Sequence, residues 1–277
     1  FPFLSMRFPQ LSRSLLMYRY RRLAQARRAA RSAGHSGAMF PWQSASSGRE
    51  ETQTRHLNPA SGRWLPDASH LQRHIGAAIA VNVWQYHQST GDLDFIRSFG
   101  AEMILEIARF WSSIATFDAH LGRYEIKGVM GPDEYHERYP GHDEPGIDNN
   151  AYTNLTAGWC ICRAFDVLEL LPPTAARELR ERLRITEAEL DRWDRVSRKM
   201  RVCFHDGVIS QFEGYEDLAE LVTERARSGS PHDGLSTPIP QRLQELGLRS
   251  ETEPLRERRA QQAESVSYTH LRAHETK

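Results

Sequence analysis

The sequence predicts a mainly α chain, built of antiparallel helix pairs joined alternately by short and very long loops. Three observations lead there. Apolar residues recur at spacings of three and four in each well-patterned stretch. Capping residues, glycines and prolines fall where those stretches end. Nowhere does a strand pattern alternate with a helical one, which argues against a Rossmann or TIM architecture.

The first predicted helix covers about 10–33, framed by Pro9 and Gly34, with Leu11, Leu15, Leu16 and Leu23 on its apolar side. A Gly/Ser/Pro-containing stretch over 34–69 follows, holding Trp42, Gln43 and Trp64; connections this long are usually functional. Ile75, Ile79, Val83 and Tyr86 then mark a helix closed by Gly91. Asp92 caps the next, with a stripe of Ile96, Phe99, Met103, Ile107, Phe110 and Ile114. Their short connection makes the two an antiparallel hairpin. A second long loop, about 118–148, carries the densest acidic cluster. A helix over about 149–171 follows, with Leu155, Trp159, Cys162 and Phe165 expected inward and Pro172-Pro173 ending it. Thr174 opens a short helix. Thr186-Glu187-Ala188-Glu189 reads as a capping box for another, reaching about Val202. Asp206-Gly207 is a tight-turn signal beside a short strand at Val208-Ile209. Beyond Leu221 the chain is polar and Arg/Glu-rich, which reads as a flexible tail or a weak helix over 251–264.

Composition narrows the function classes. The 277 residues can bury a sizeable core, and 36 Lys+Arg against 36 Asp+Glu leave no surplus of cations to displace the counterions of a nucleic acid. With a mean hydropathy of −0.61 the chain has no apolar run near the roughly 18 residues needed to span a membrane. Three cysteines, an odd number in a long chain, point to a reducing, cytoplasmic setting. Residues 1–49 hold nine arginines and only at 50 does the first acid appear. That pattern fits a transit peptide or a nucleic-acid helix, but a solvated helix face is the plainer reading. The chain opens at Phe1 without an initiator methionine, so further sequence is expected upstream.

The sharpest chemical segment is Gly128-Val129-Met130-Gly131-Pro132-Asp133-Glu134-Tyr135-His136-Glu137. Cleaving a glycosidic bond needs a carboxylic acid that stays protonated near neutrality within reach of the leaving oxygen. A neighbouring carboxylate and partial burial both raise a glutamate's pKa, the help expected of Asp133 beside Glu134; a merely solvated acidic loop is the plainer alternative. Metal binding by Asp133, His136, Glu137 and His142 is the rival, but the spacing is not that of a zinc-protease helix and Pro140-Gly141 interrupts it; no metal is expected. Trp42 beside Gln43 suits a sugar platform, an indole for the apolar ring face and an amide for hydroxyls; a tryptophan that only plugs its loop is equally compatible. No GxGxxG, P-loop or GxSxG occurs. Asn154-Leu155-Thr156 falls inside a predicted helix and is taken as a chance glycosylation match.

Several linked motifs, in order, resemble glycoside hydrolase family 65, the family of maltose, trehalose and kojibiose phosphorylases and acid trehalases. They are Gly37-Ala38-Met39-Phe40-Pro41-Trp42-Gln43-Ser44, then Gly48-Arg49-Glu50-Glu51-Thr52-Gln53, then Arg73-His74 with Asn82-Val83-Trp84-Gln85-Tyr86. The strongest are Gly131-Pro132-Asp133-Glu134-Tyr135-His136 and Asp148-Asn149-Asn150-Ala151-Tyr152-Thr153-Asn154. The resemblance covers residues 1–221 and implies a partial α/α barrel, about half of a six-hairpin toroid with its long loops at one end. It implies that Glu134 is the general acid, that Trp42 and Gln43 wall the subsite of the cleaved glucose, and that Tyr135 and His136 assist by adjacency. Some relatives carry Glu where this chain has Gln43. The implied reaction is inverting phosphorolysis of an α-glucosidic disaccharide to a glucose 1-phosphate, with inorganic phosphate as co-substrate and no other cofactor. An acid-trehalase-like hydrolase, or an inactive helical sugar-binding fragment, are the alternatives. Expected partners are a small carbohydrate and, in the full-length protein, a second copy as homodimer; no nucleic acid and no membrane. The phosphate cluster of the family lies later in its barrel, so residues 1–277 alone are expected to be inactive and poorly stable. Residues 222–264 read as a frameshifted or unrelated stretch, and Ser265–Lys277 as translated adapter sequence.

Overall fold

The computed structural model describes residues 1–58, 62–132 and 136–217. The tail over 222–277 lies outside them. The chain divides into two units: Phe1–Thr54 with Asp67–Arg201, and Arg55–Pro66 with Val202–Lys277.

The larger unit is helical. Its first helices are α1 (Pro2–Arg7), α2 (Pro9–Arg21) and α3 (Leu23–Ser32). Proline stands in the first turn of α1 and of α2, where its missing N–H costs nothing. Arg22, at φ −104° and ψ 2°, breaks the single helix expected over 10–33 into α2 and α3. The break lets Leu16 and Leu23 both reach the core, while Leu11 and Leu15 stay exposed. A 3-10 turn (Ser69–Leu71) leads into α4 (Ile75–Thr90), which ends on Gly91 in the left-handed region at φ 67°, as its sequence predicts.

Next comes one continuous rod: α5 (Leu93–Phe95), a π-helical segment (Ile96–Gly100) and α6 (Ala101–Ile114). The Asp92 carboxylate caps it by accepting from the Phe95 N–H at 2.8 Å. Ile96, Met103, Ile107 and Phe110 of the predicted stripe are buried. The opposite side of α6 is buried too, because α4 and α7 (Ala151–Leu170) pack on one flank and α3 and α9 (Glu187–Lys199) on the other. Between α6 and α7 the chain forms a hairpin of β3 (Thr116–Asp118) and β4 (Arg123–Glu125), absent from the sequence reading. The Asp118 carboxylate accepts from the backbone of His120 and Leu121, making an Asx turn.

The inward face of α7 differs from the expected one. Ala157, Cys160, Ile161, Ala164 and Val167 are buried, whereas Leu155 is 43% exposed and Trp159, Cys162 and Phe165 are only half-buried. Small side chains allow the close approach that a helix packed on three neighbours requires, so bulk was the wrong guide to the buried face. Arg163 lies 4.9 Å from the Trp84 ring centre and 5.4 Å from that of Trp159, covering the larger aromatics. After α8 (Pro173–Leu183), Thr186 caps α9 through the Glu189 N–H at 3.2 Å. The capping box is half used, because the Glu189 carboxylate turns to Arg109 at 2.6 Å.

The smaller unit contains two antiparallel ribbons among its described residues. In one, β1 (Arg55–Leu57) pairs β2 (Trp64–Pro66), with Trp64 57% exposed. In the other, β5 (Phe204–His205) pairs β6 (Val208–Ile209) across the predicted turn, where Asp206 and Gly207 both have positive φ.

Gly37 gives a sharp test of the larger unit. It sits at φ +79° directly on α6, and a Cβ there would overlap the Phe110 amide nitrogen and the Glu106 carbonyl. Gly34 has the same φ with nothing within 4 Å of its would-be Cβ. Gly37→Ala is expected to lose about 3 kcal/mol in urea unfolding and Gly34→Ala only about 1. Equal losses would contradict this packing.

Candidate functional site

The loops that carry the singled-out residues meet at the N-terminal ends of α4 and α7. Trp42, half-buried, has its ring centre 5.8 Å from that of His74, which immediately precedes α4. His74 in turn meets Tyr152, in the first turn of α7, edge-on at 5.7 Å. Three rings therefore form one wall beside two helix N-termini, where the helix dipoles favour negative charge.

A single carboxylate shapes the Trp42 loop. Glu50 accepts long hydrogen bonds from the backbone N–H of Trp42 (3.4 Å), Gln43 (3.5 Å) and Thr52 (3.3 Å), and the Thr52 hydroxyl also donates to it. Gln43 N–H donates to Thr52 Oγ1 at 3.1 Å, and Glu51 N–H returns to the Gln43 carbonyl at 3.0 Å. Gln43 is thus held by its backbone while its side chain stays exposed.

The base of the acidic loop is pinned on several sides. Val129 and Ile147 exchange backbone hydrogen bonds of 3.0 and 2.8 Å, and Met130 N–H donates to the Leu71 carbonyl at 3.1 Å. Asp148 accepts from the Gly128 N–H at 3.0 Å. Gly131 lies so close to Asn150 that a Cβ would fall 2.5 Å from its Nδ2. Asn150 itself caps α7, accepting from the Thr153 amide and hydroxyl at 3.0 Å each. Asn149, in the left-handed region at φ 52°, donates to Glu125 at 3.2 Å. Asn154 spans from Asn149 (3.2 Å) to the Arg201 carbonyl (2.8 Å). Its buried side chain leaves no room for a glycan. Glu125, 3% exposed, also receives Lys127 at 2.9 Å and Arg201, and these cations hold its pKa below the usual range against the opposing pull of burial.

Of the residues expected in the site, the structure places Trp42 in the aromatic wall and Gln43 beside it. His136 is half-buried two residues before Arg138, whose backbone bridges Gly146. Glu134 and Tyr135, with Asp133, lie outside the described residues. Roles for His74, Tyr152 and Gln72 were missing from the sequence reading, although Arg73-His74 and Tyr152 stood in the quoted motifs. The signal is a polar residue in an apolar setting. Among the described residues Gln72, 1% exposed, has neither amide atom hydrogen-bonded, and the buried Nδ1 of His74 has no partner.

Burial pushes His74 down to about 4, so it is a neutral imidazole at pH 7. The unfolded chain takes up this proton near the ordinary histidine value of about 6.5, the folded chain only near 4. The unfolded state therefore binds more protons in that interval, and stability falls as pH drops through it, by up to about 3 kcal/mol. Thermal unfolding between pH 7 and 4 should show this slope, and His74→Phe should flatten it. A second prediction concerns the strut: Glu125→Ala, which removes the buried carboxylate from Arg201, Lys127 and Asn149, should cost about 3 kcal/mol in urea unfolding.

Comparison with known proteins fits these features. The family model described as the Glycosyl hydrolase family 65 central catalytic domain matches residues 1–252, further than the 1–221 over which the resemblance extends. An uncharacterised glycosyl hydrolase of Mycobacterium tuberculosis is 59% identical over 220 residues, 79% of this chain and 17% of that protein. A kojibiose phosphorylase of Caldanaerobacter subterraneus is 39% identical, over 81% of this chain and 29% of its own length. A trehalose 6-phosphate phosphorylase of Lactococcus lactis is 40% identical, over 79% and 27%. The chain thus spans less than a third of the length of these curated relatives. One solved structure, a candidate kojibiose phosphorylase from the human microbiome, shares the fold with a TM-score of 0.65 at 23% identity, over 78% of this chain and 26% of that one. With its motifs, its mainly α fold and a family match across most of its length, the chain belongs to glycosyl hydrolase family 65, within the central catalytic domain.

Proposed function

We propose that the protein to which this chain belongs phosphorolyses an α-glucosidic disaccharide with inversion, and that this chain supplies the glucose-facing wall and the general acid. The observation that carries the reading is the seating of the acidic loop. Its base at Met130-Gly131 rests on Leu71 and Asn150, two to three residues from His74 and Tyr152. In this reading Asp133 and Glu134, two and three positions after Gly131 in the sequence, act at the ring wall that Trp42 completes.

In this reading the Trp42 indole stacks on the apolar face of the glucose ring, and the exposed amide of Gln43 exchanges hydrogen bonds with its hydroxyls. Tyr135 and His136, the next two residues in sequence, assist the acid in this reading. The Glu134 carboxylic acid gives its proton to the glycosidic oxygen as the C1–O bond breaks. A phosphate oxygen forms the new bond to C1 from the opposite face, releasing a β-configured glucose 1-phosphate and the second sugar. No metal enters the step. The positive ends of α4 and α7 lie on the side where negative charge gathers. The α/α barrel, a homodimer and a cytoplasmic setting belong to the same reading. Among the described residues no helix is long and apolar enough to cross a membrane.

The full-length protein tests it. Disaccharide consumption should require inorganic phosphate and release glucose 1-phosphate; turnover in water alone would identify a hydrolase of the acid-trehalase kind. Glu134→Gln should lower kcat by about 10²–10⁴ with KM little changed. Trp42→Ala should mainly raise KM. Full activity in Glu134→Gln would overturn the assignment.

A further inference from the structure

Away from the aromatic wall, a groove of about 910 Å³ runs between α3, α6, α8 and the start of α9. None of its lining residues is Trp42, Gln43, Gln72, His74 or Tyr152. Its charge is unbalanced, with six arginines facing three glutamates. The floor is neutral. Arg27 donates to Glu102 at 2.8 Å and to Glu106 at 3.0 Å, Arg182 to Glu102 at 2.7 Å, and Arg109 to Glu106 and Glu189 at 2.6 Å each. These pairs hold the Glu102 carboxyl below its ordinary pKa, the guanidinium bonds outweighing burial.

Three cations remain in surplus: Arg31, Arg184 and Arg192. Arg192 is fixed by donating to the carbonyls of Ser112 and Ala115 at 2.9 Å each, with its guanidinium over Tyr124. The exposed guanidinium groups of Arg31 and Arg184 make no hydrogen bond or ion pair with the described residues. Trp193 also lines the groove, fully buried, and its indole Nε1–H has no acceptor among the described residues. The unpaired guanidinium groups and this indole are all donors. A concave site lined by surplus donors lacks an acceptor, and planar guanidinium forks match the paired oxygens of a phosphate. The size is that of a small-molecule pocket and not of a flat macromolecular contact.

We propose that this groove binds a small phosphate-bearing anion, between Arg31 and Arg184, at a site separate from that of the cleaved sugar. The proposal stands independently of phosphorolysis, since it concerns binding and not turnover.

Isothermal titration of the 277-residue chain at fixed ionic strength tests it, with inorganic phosphate, glucose 1-phosphate and uncharged glucose as probes. Saturable binding of one or both phosphate probes is expected. Arg31→Ala/Arg184→Ala should weaken it at least tenfold while leaving the ligand-free thermal midpoint in place, both side chains being exposed. Trp42→Ala should leave the component of binding that depends on Arg31 and Arg184 unchanged. If only glucose 1-phosphate binds, the occupant is a sugar phosphate; if both bind alike, the phosphate group alone is recognised. No saturable heat from either phosphate probe would overturn the proposal. So would equal affinity in the double variant, or loss of that component in Trp42→Ala, which would put the anion at the sugar wall.

Discussion

The candidate site depends on one buried carboxylate. Glu125 ends the β3–β4 hairpin and gathers Lys127, Arg201 and Asn149. Through Asn149 it holds the turn into α7; through Arg201 it ties the chain after α9 to the same point. Burying a carboxylate is costly unless it is both paired and hydrogen-bonded, and here both conditions are met. The Asp148–Asn154 run thus works as scaffolding. Its side chains cap a helix, brace a left-handed residue and grip the base of the acidic loop. The proposed reaction requires a general acid placed to within fractions of an ångström, and this lattice of hydrogen bonds fixes the base of the loop whose sequence carries the proposed one.

The ring wall has a different physical character. His74 is neutral because it is buried, and among the described residues its Nδ1 and the whole Gln72 amide lack partners. Unsatisfied polar atoms in a packed interior are a reservoir of binding potential, since a ligand or ordered water that supplies the missing partner recovers the desolvation already lost. That they cluster around the segment supporting both Trp42 and the acidic loop agrees with a carbohydrate site, where hydroxyls offer donors and acceptors together.

Much of this was legible from the residues. Asp92 and Thr186 as caps, Gly91 as terminator, the Asp206-Gly207 turn and the stripe along α6 reflect local chemistry that tertiary contacts leave intact. The break at Arg22 and the reversed face of α7 were not legible. Both answer to packing: the first to reaching two parts of one core, the second to how closely α7 must approach α4, α6 and α9. The β3–β4 hairpin escaped notice because two strands of three residues carry too little alternation to read. In the site, Trp42 and its neighbour stood out by type. His74 and Tyr152 did not, because their importance lies in meeting each other across 78 positions of sequence.

The π-helical segment at Ile96–Gly100 gives the long rod between Asp92 and Ala115 two phases. Each residue inserted into an α-helix turns the remainder of that helix by about 100°. Phe95 and Phe99 on the first half therefore answer to Tyr86 and Tyr20, while Met103 and Ile107 on the second half enter the core and Glu102, Glu106 and Arg109 are turned to the groove. A descendant sequence shortened by one residue here would keep its rod but rotate one half against the other, exchanging buried methyls for carboxylates along the whole of α6. Removing one residue from this stretch is thereby a larger perturbation than substituting one.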